Sequence, residues 1–361
     1  MTSFPSLLHS EDEQELRASV RRLLADRADW SAVLKRVETE EPYDTETWRL
    51  LAAETGIAGL AVPEELGGAG ASWRETAVVA EELGRSLAIV PFLGSAVLAT
   101  SALLAAGDTE LLPALAAGER TAALGVPLST WPGALPSAVT ADGGQLCGTV
   151  TSVADARTAD ALVVPADGAL WVVDDFAVAP RTSLDLTRPL ADVTLERARG
   201  RLVAADAGPA LRTALLTGAG ILASEQLGLA EQCLETTVAH LKTRFQFGRA
   251  IGSFQGLKHR VASLWVEVTR ARAVARYAAG CLATGDPDTE VAVAVAGSLC
   301  SDVAVLAAEE CVQLHGGLGF TWEHPAHLWL KRAKADQIAL GTPDRHRAAL
   351  AALVDLPVGA E

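Results

Sequence analysis

Two segments in the C-terminal third of the chain carry residue types that bind phosphate groups. One is Arg244–Gly248 (RFQFG), which precedes Gln255 by seven residues, and the other is Gln313–Phe320 (QLHGGLGF). An arginine can give two charge-assisted hydrogen bonds to a pyrophosphate, and glycines let backbone amides approach such a ligand closely. The pair predicts a site for a phosphate-bearing ligand. The structural alternative is that Arg244 caps a helix and the glycines make a tight turn between helices.

Other residues that could do chemistry near these segments are few. Gln313 can both donate and accept hydrogen bonds. His315 could stack on a nucleotide, but a turn histidine bonded to the backbone explains it equally well, so no catalytic role is predicted. The five cysteines are scattered without a CxxC pair, which favours free thiols in a reducing compartment and predicts no metal site.

The elements that must position these residues fall into three predicted parts. Residues 1–120 read as helices, with a capping box at Ser10 and Glu13 that starts the first of them. Residues 121–206 show short β-type runs broken by turn residues, which indicates an antiparallel barrel or sandwich. Residues 207–361 return to helical spacing and are predicted to form a four-helix bundle. The predicted fold class is therefore mainly α with a middle β-domain.

Composition narrows the class of protein further. Half of the residues are hydrophobic, only 5% are aromatic, and the formal net charge is −15. Such a charge disfavours non-specific nucleic-acid binding, which needs clustered Lys and Arg. We find neither a signal peptide nor an uninterrupted apolar run of the roughly 18 residues that a membrane span requires. A soluble, cytoplasmic protein is predicted.

Taken together, the motifs resemble those of the acyl-CoA dehydrogenase family. Leu60–Gly68 (LAVPEELGG) and Ala80–Gly84 (AEELG) are similar to the family's N-terminal loop and the Glu-Glu-Leu-Gly that follows it, and the two segments above are similar to its Arg-x-x-Phe-Gly…Gln and Gln-x-x-Gly-Gly-x-Gly-Phe motifs. The resemblance covers nearly the whole chain. It implies a FAD-dependent α,β-dehydrogenation of an acyl-CoA thioester, with electrons passed on to an electron-transfer acceptor.

The resemblance also implies which residues contact FAD. In the family, the last two motifs reach across a subunit interface to the FAD of a neighbouring chain, so oligomerisation is expected. The implied cofactor-binding residues are Arg244, Gln246, Phe247, Phe254, Gln313, Gly316, Gly317 and Thr342.

The carboxylate base of the family is missing at both positions where the resemblance predicts it. The family's Glu-Gly-Thr, twenty residues after the phenylalanine of the glycine motif, aligns with Leu340 followed by Gly341 and Thr342. The alternative base position, on the helix before the arginine motif, aligns with Gly218. Neither residue can accept a proton, so no catalytic residue is predicted. Asp344 is a conceivable substitute, but a solvated surface carboxylate is the simpler interpretation.

The β-domain departs from the family as well. Val126–Ser129 and Ser152–Ala154 stand where the family has the Thr-Glu-Pro and Trp-Ile-Thr segments that bond the flavin ring. Some family members are heteromers in which a base-bearing chain pairs with a base-less one, and they act on steroid and other bulky acyl-CoA substrates. The leading hypothesis is therefore a non-catalytic subunit that completes the FAD site of a second acyl-CoA dehydrogenase chain. A homo-oligomer, a flavin-dependent monooxygenase and a flavin-free scaffold or acyl-CoA-binding subunit remain alternatives.

Overall fold

The N-terminal part of the chain is helical. In the computed structural model, which describes residues 5–136 and 138–356, helix α1 begins with the predicted capping box of Ser10 and Glu13. A π-helix, Phe92–Ala99, runs directly into α5 and is completely buried. The helices are α1 Glu11–Arg27, α2 Trp30–Val37, α3 Thr45–Thr55, α4 Trp73–Ser86, α5 Thr100–Ala106 and α6 Leu112–Ala116.

A seven-stranded sheet follows, with the order β1-β4-β5-β7-β3-β2 and with β6 paired to β7. The strands are β1 Ala122–Leu124, β2 Val139–Asp142, β3 Gln145–Ala154, β4 Ala161–Ala166, β5 Ala169–Val173, β6 Ala177–Arg181 and β7 Leu190–Ala204. All pairs are antiparallel except β1 with β4, where the chain enters the sheet at its edge. The pairing of β3 with the long strand β7 is interrupted by register shifts, which allow β7 to take part in both halves of the sheet. The sheet has a hydrophobic core of its own, separate from that of the helices.

The C-terminal part is a helical bundle. Its long helices are α7 Gly208–Thr243, α8 Gln255–Thr284 and α9 Thr289–His315, and shorter helices α10 Ala326–Asp336 and α11 Pro343–Leu353 pack beside them. A two-residue hairpin, β8 Phe245–Gln246 and β9 Arg249–Ala250, joins α7 to α8. The three-part plan of helices, β-domain and helices is the predicted one.

Helices α4 and α7 approach closely through two glycines. A Cβ atom at Gly84 would overlap the carbonyl oxygen of Glu225, and one at Gly228 would overlap that of Glu81. Since backbone atoms cannot move aside as a flexible side chain can, any larger residue would separate the helices. The final glycine of the Glu-Glu-Leu-Gly motif therefore has a packing role.

Helix α9 is the most apolar element of the bundle. Within the part of the chain that the structure describes, the stretch Thr289–Phe320 is long and apolar enough to cross a bilayer by length and composition. However, 67% of its apolar window is buried inside the fold. This burial is what the central helix of a bundle requires.

Candidate functional site

The Arg244 segment forms an exposed hairpin at one end of the bundle. Arg244 ends α7 in an extended conformation, and its carbonyl oxygen accepts a hydrogen bond of 2.8 Å from the amide of Ile251. Phe247 and Gly248 both have positive φ, which suits the tight turn between β8 and β9. Phe247 is 90% exposed. The hairpin thus exposes both an aromatic ring and an arginine.

The ring of Phe254 packs against two residues of this hairpin. The guanidinium of Arg249 lies 3.9 Å from the centre of its ring, and the ring of Phe247 packs edge-on at 6.2 Å. Gln246 is exposed on β8. Phe254 thus has a structural task in holding the hairpin, and its predicted contact with a cofactor stays a prediction.

The glycine segment forms a tight turn after α9, as its structural alternative required. Gly316 ends the helix with φ 60° and ψ −137°, a conformation that side chains other than glycine rarely adopt. A Cβ atom at Gly319 would overlap the carbonyl oxygen of Val312, whereas one at Gly317 would meet nothing within 4 Å. Gly316 and Gly319 are therefore needed by the fold itself. Gly317 leaves its backbone open to a ligand, and Gln313 is exposed one turn earlier.

Each of the two segments has a nearby histidine, and these two histidines are in contact. His240, in the last turn of α7, and His315, the last residue of α9, have ring centres 4.3 Å apart. The Nδ1–H of His315 donates to the Cys311 carbonyl oxygen at 2.7 Å, so the predicted backbone bond of this histidine is present. Helix packing thus brings Arg244 and Gly316 to the same end of the bundle.

The two positions expected for a base meet in space and are both aliphatic. A Cβ atom at Gly218 would lie 3.1 Å from Leu340 Cδ1 and would overlap Leu98 Cδ2. Leu98 comes from the π-helix, and Leu340 is completely buried. Asp344 is no substitute by position, because its side chain is 94% exposed and pairs with Arg347 at 2.8 Å. Sequence reasoning found Gly218 and Leu340 separately but missed Leu98.

The segments expected to bond a flavin ring are joined directly to one another. The amide of Leu128 donates to the carbonyl oxygen of Ser152 at 3.0 Å, and the amide of Leu340 donates to that of Leu128 at 2.8 Å. The indole of Trp131 covers Gly341, where an added Cβ would lie only 2.5 Å from the ring. These contacts pair the amides of Leu128 and Leu340 and the carbonyl oxygens of Ser152 and Leu128 within the chain.

Thr342 and His346 complete this region. The Thr342 hydroxyl accepts a hydrogen bond of 3.3 Å from the Arg345 amide and caps α11. His346 meets the Trp131 ring edge-on at 5.0 Å, and its burial lowers the pKa of the imidazole to about 4. Thr342 thus has a helix-capping task, and its predicted cofactor contact stays a prediction.

A buried ionic cluster that sequence reasoning missed fixes the β-domain on the bundle. Arg332 pairs with Asp185 and with Glu225, the latter at 2.6 Å, while Arg188 pairs with Glu225 and Asp336, both at 2.5 Å. Burial raises the pKa of Asp336 well above its usual range, against the attraction of Arg188. No sequence signal announced the cluster, because its members come from three distant stretches of chain.

Comparison with known proteins identifies the family. Residues 10–119 match the profile described as "Acyl-CoA dehydrogenase, N-terminal domain", and residues 208–354 match "Acyl-CoA dehydrogenase, C-terminal domain". The chain belongs to the acyl-CoA dehydrogenase family, whose members are FAD-binding oxidoreductases.

Particular relatives extend this result over nearly the full length. The acyl-CoA dehydrogenase IpdE2 of Mycobacterium tuberculosis is 39% identical over 335 residues, covering 92% of this chain and 94% of that protein. A chain of the ChsE4-ChsE5 complex from Mycobacterium tuberculosis is 28% identical with a TM-score of 0.86, covering 98% of this chain and all of that one. A chain of the Tcur3481-Tcur3483 steroid ACAD G363A variant is 28% identical with a TM-score of 0.85, covering 96% and 98%.

Proposed function

We propose that this chain is the subunit without a catalytic base in a two-chain acyl-CoA dehydrogenase. The observation that carries the proposal is the aliphatic contact of Leu98, Gly218 and Leu340, where a base of this family would stand. Proton removal from the carbon next to a thioester needs an acceptor within hydrogen-bonding reach. A leucine and a glycine offer none, so the base must come from a second chain.

The residues of this chain support a contact with the phosphate half of FAD more than one with its flavin ring. The exposed guanidinium of Arg244 and the open backbone at Gly317 suit the pyrophosphate end of the cofactor. The hydrogen bonds that join Leu128 to Ser152 and Leu340 occupy backbone groups of the segments expected to bond a flavin ring. When bound, FAD supplies the acceptor for a hydride. In this proposal the chain binds the phosphate end and orients it, while its partner holds the reacting ring.

Two structural neighbours support a two-chain assembly and a bulky substrate. The ChsE4-ChsE5 structure is a complex of two named chains, and the Tcur3481-Tcur3483 protein is called a steroid ACAD. By analogy, the substrate class is the CoA thioester of a bulky, polycyclic acid. The family analogy also favours an electron-transfer acceptor as the next partner.

The test is to purify the chain alone and together with candidate base-bearing acyl-CoA dehydrogenase chains from the same cells. We expect the chain alone to be colourless and inactive. The complex should be yellow and should lose its flavin absorbance when the acyl-CoA is added. A single chain that holds FAD and oxidises acyl-CoA would refute the proposal, and a stable but colourless complex would favour the flavin-free scaffold.

Restoring the carboxylate should not restore catalysis in the chain alone. Leu340→Glu places a carboxyl against Leu98 and Gly218, which should cost about 2–3 kcal/mol of unfolding free energy because the aliphatic side chain of Leu98 cannot hydrogen-bond to it. The measurements are urea unfolding and dye-coupled oxidation of acyl-CoA, with Leu340→Met as the volume-conserving control. Dehydrogenase activity of the Glu variant without a partner would mean that the ring half of the site is functional after all.

A further inference from the structure

Three of the seven histidines, which we call the histidine stack, contact one another through their rings near the Arg244 hairpin and the Gly316–Phe320 turn. The ring centre of His315 lies 4.3 Å from that of His240 and 4.3 Å from that of His324, with the ring planes tilted by 35° and 41°. His240 belongs to α7 and stands four residues before Arg244. His324 stands two residues before α10 and accepts a hydrogen bond of 3.2 Å from the amide of Ala326. The stack therefore connects the end of α7, the end of α9 and the segment before α10.

We propose that His315 and its two stacked neighbours position the Arg244 hairpin against the Gly316–Phe320 turn, and that mild acid releases both segments together. This inference rests on the proposed function, because it assigns the stack to the surface that would meet the shared cofactor. The three are positioning residues. They act through the backbone of the two segments and need not touch a ligand.

The geometry explains why the stack depends on neutral rings at its two ends. The Nδ1 atom of His324 accepts the Ala326 amide and would lose that bond on gaining a proton. A proton on His240 or His324 would also add a positive charge beside the ring of His315. The charge of Arg244 acts on His240, and His327 of α10 acts on His324, so each outer ring has a further positive or titratable group near it.

The pKa shifts agree with this arrangement. Burial, together with His315 and His240, lowers the pKa of His324 to about 4. Burial is the largest cause that lowers the pKa of His240, and the charges of His315 and Arg244 lower it further. Burial opposes the charge on His315 as well, but the Cys311 thiol and carbonyl outweigh it and raise the pKa of that ring.

The sign of the pH effect follows from counting protons. A histidine with a lowered pKa favours the stacked form above pH 6.5 and loses that contribution as the pH falls toward its folded pKa. Two rings behave in this way. His315 has the opposite tendency, but its effect falls above pH 6.5, because below that pH both forms hold its proton. Below pH 6.5 the released segments thus bind roughly one to two protons more than the stacked ones. The stacked form should therefore weaken by roughly tenfold or more per pH unit between pH 6.5 and the lowered pKa of the outer rings.

Hydrogen exchange of the full-length chain alone tests the inference without any partner. After correction for intrinsic exchange, residues 244–251 and 316–321 should lose protection together by about tenfold between pH 6.5 and pH 5.5, whereas α1 and α4 should change little. The His240→Phe and His324→Phe double variant keeps two aromatic rings but cannot be protonated, so its two segments should keep their protection. His315→Gln keeps a donor for Cys311 but removes the central ring, and should expose both segments even at neutral pH.

His346→Phe is the matched control for general acid unfolding, because His346 is also buried with a lowered pKa but lies in contact with Trp131, away from the stack. This variant should keep the wild-type response of both segments. Wild-type segments that stay protected at pH 5.5, or a double variant that responds like wild type, would overturn the inference. Either result would leave the proposed subunit role intact, because that role is judged by flavin and activity of the complex.

Discussion

Arg332→Met is expected to lower the free energy of unfolding by about 3–5 kcal/mol, because removing one partner of a buried ion pair leaves a buried charge uncompensated. Arg332 is only 3% exposed and bonds Asp185, Glu225 and the hydroxyl of Thr187. In the variant, Asp185 would lose its arginine, and Glu225 would keep only Arg188. Urea unfolding monitored by circular dichroism at pH 7 measures the loss.

The matched control is Arg347→Met. Arg347 also pairs with two carboxylates, Asp302 and Asp344, but its side chain is half exposed. Exposed pairs contribute little, so this variant should lose less than about 1 kcal/mol. A similar loss of unfolding free energy in both variants would mean that burial does not increase the contribution of the Arg332 cluster to stability.

The pH dependence gives a second check on Arg332→Met. Without Arg332, the pKa of a buried carboxylate such as Glu225 should rise above its unfolded value, because burial then exceeds the remaining attraction to Arg188. A group whose folded pKa is raised stabilises the protein as the pH falls. The deficit relative to wild type should therefore shrink on acidification toward pH 5.

The local features of the fold could be predicted from sequence because each depends on neighbouring residues. The capping box of Ser10 and Glu13 follows from hydrogen-bonding groups within a few positions. The helix–sheet–helix order follows from a change of hydrophobic period. Predicting these features requires no information about contacts between residues that are distant in sequence.

The features that define the site depend on contacts between distant residues. Leu98 reaches Gly218 and Leu340 only because a π-helix carries it there. The arginine cluster joins residues more than one hundred positions apart, such as Arg332 and Glu225. Sequence reasoning could say that a base is absent at each position, but not that the two positions coincide and are filled.

The histidine stack illustrates the same limit at a single residue. A turn histidine bonded to the backbone was an adequate interpretation of His315, and its bond to Cys311 exists. What the sequence could not reveal is that the rings of His240 and His324 both contact that of His315. Their proximity depends on how α7, α9 and the start of α10 pack.

Arg244→Met is expected to weaken FAD binding by the two-chain complex by about 30- to 1000-fold, since a buried charge-assisted pair typically contributes about 2–4 kcal/mol. In the free chain Arg244 is exposed at the base of the hairpin, so its loss should leave the fold unchanged. Arg244→Lys keeps the charge but not the planar guanidinium. Its affinity for FAD should therefore lie between that of the wild type and that of Arg244→Met. The measurement is titration of the flavin-depleted complex with FAD, followed by flavin fluorescence.

Arg270→Met is the matched control for this experiment, because Arg270 is also an exposed arginine of the bundle but pairs with Glu267 on its own helix. Its complex should bind FAD as tightly as wild type. If Arg244→Met also binds FAD as wild type does, the hairpin makes no contact with the cofactor, and the chain cannot complete its partner's site through Arg244. If the variant loses FAD but keeps its partner, the hairpin binds the cofactor and is not needed for subunit association.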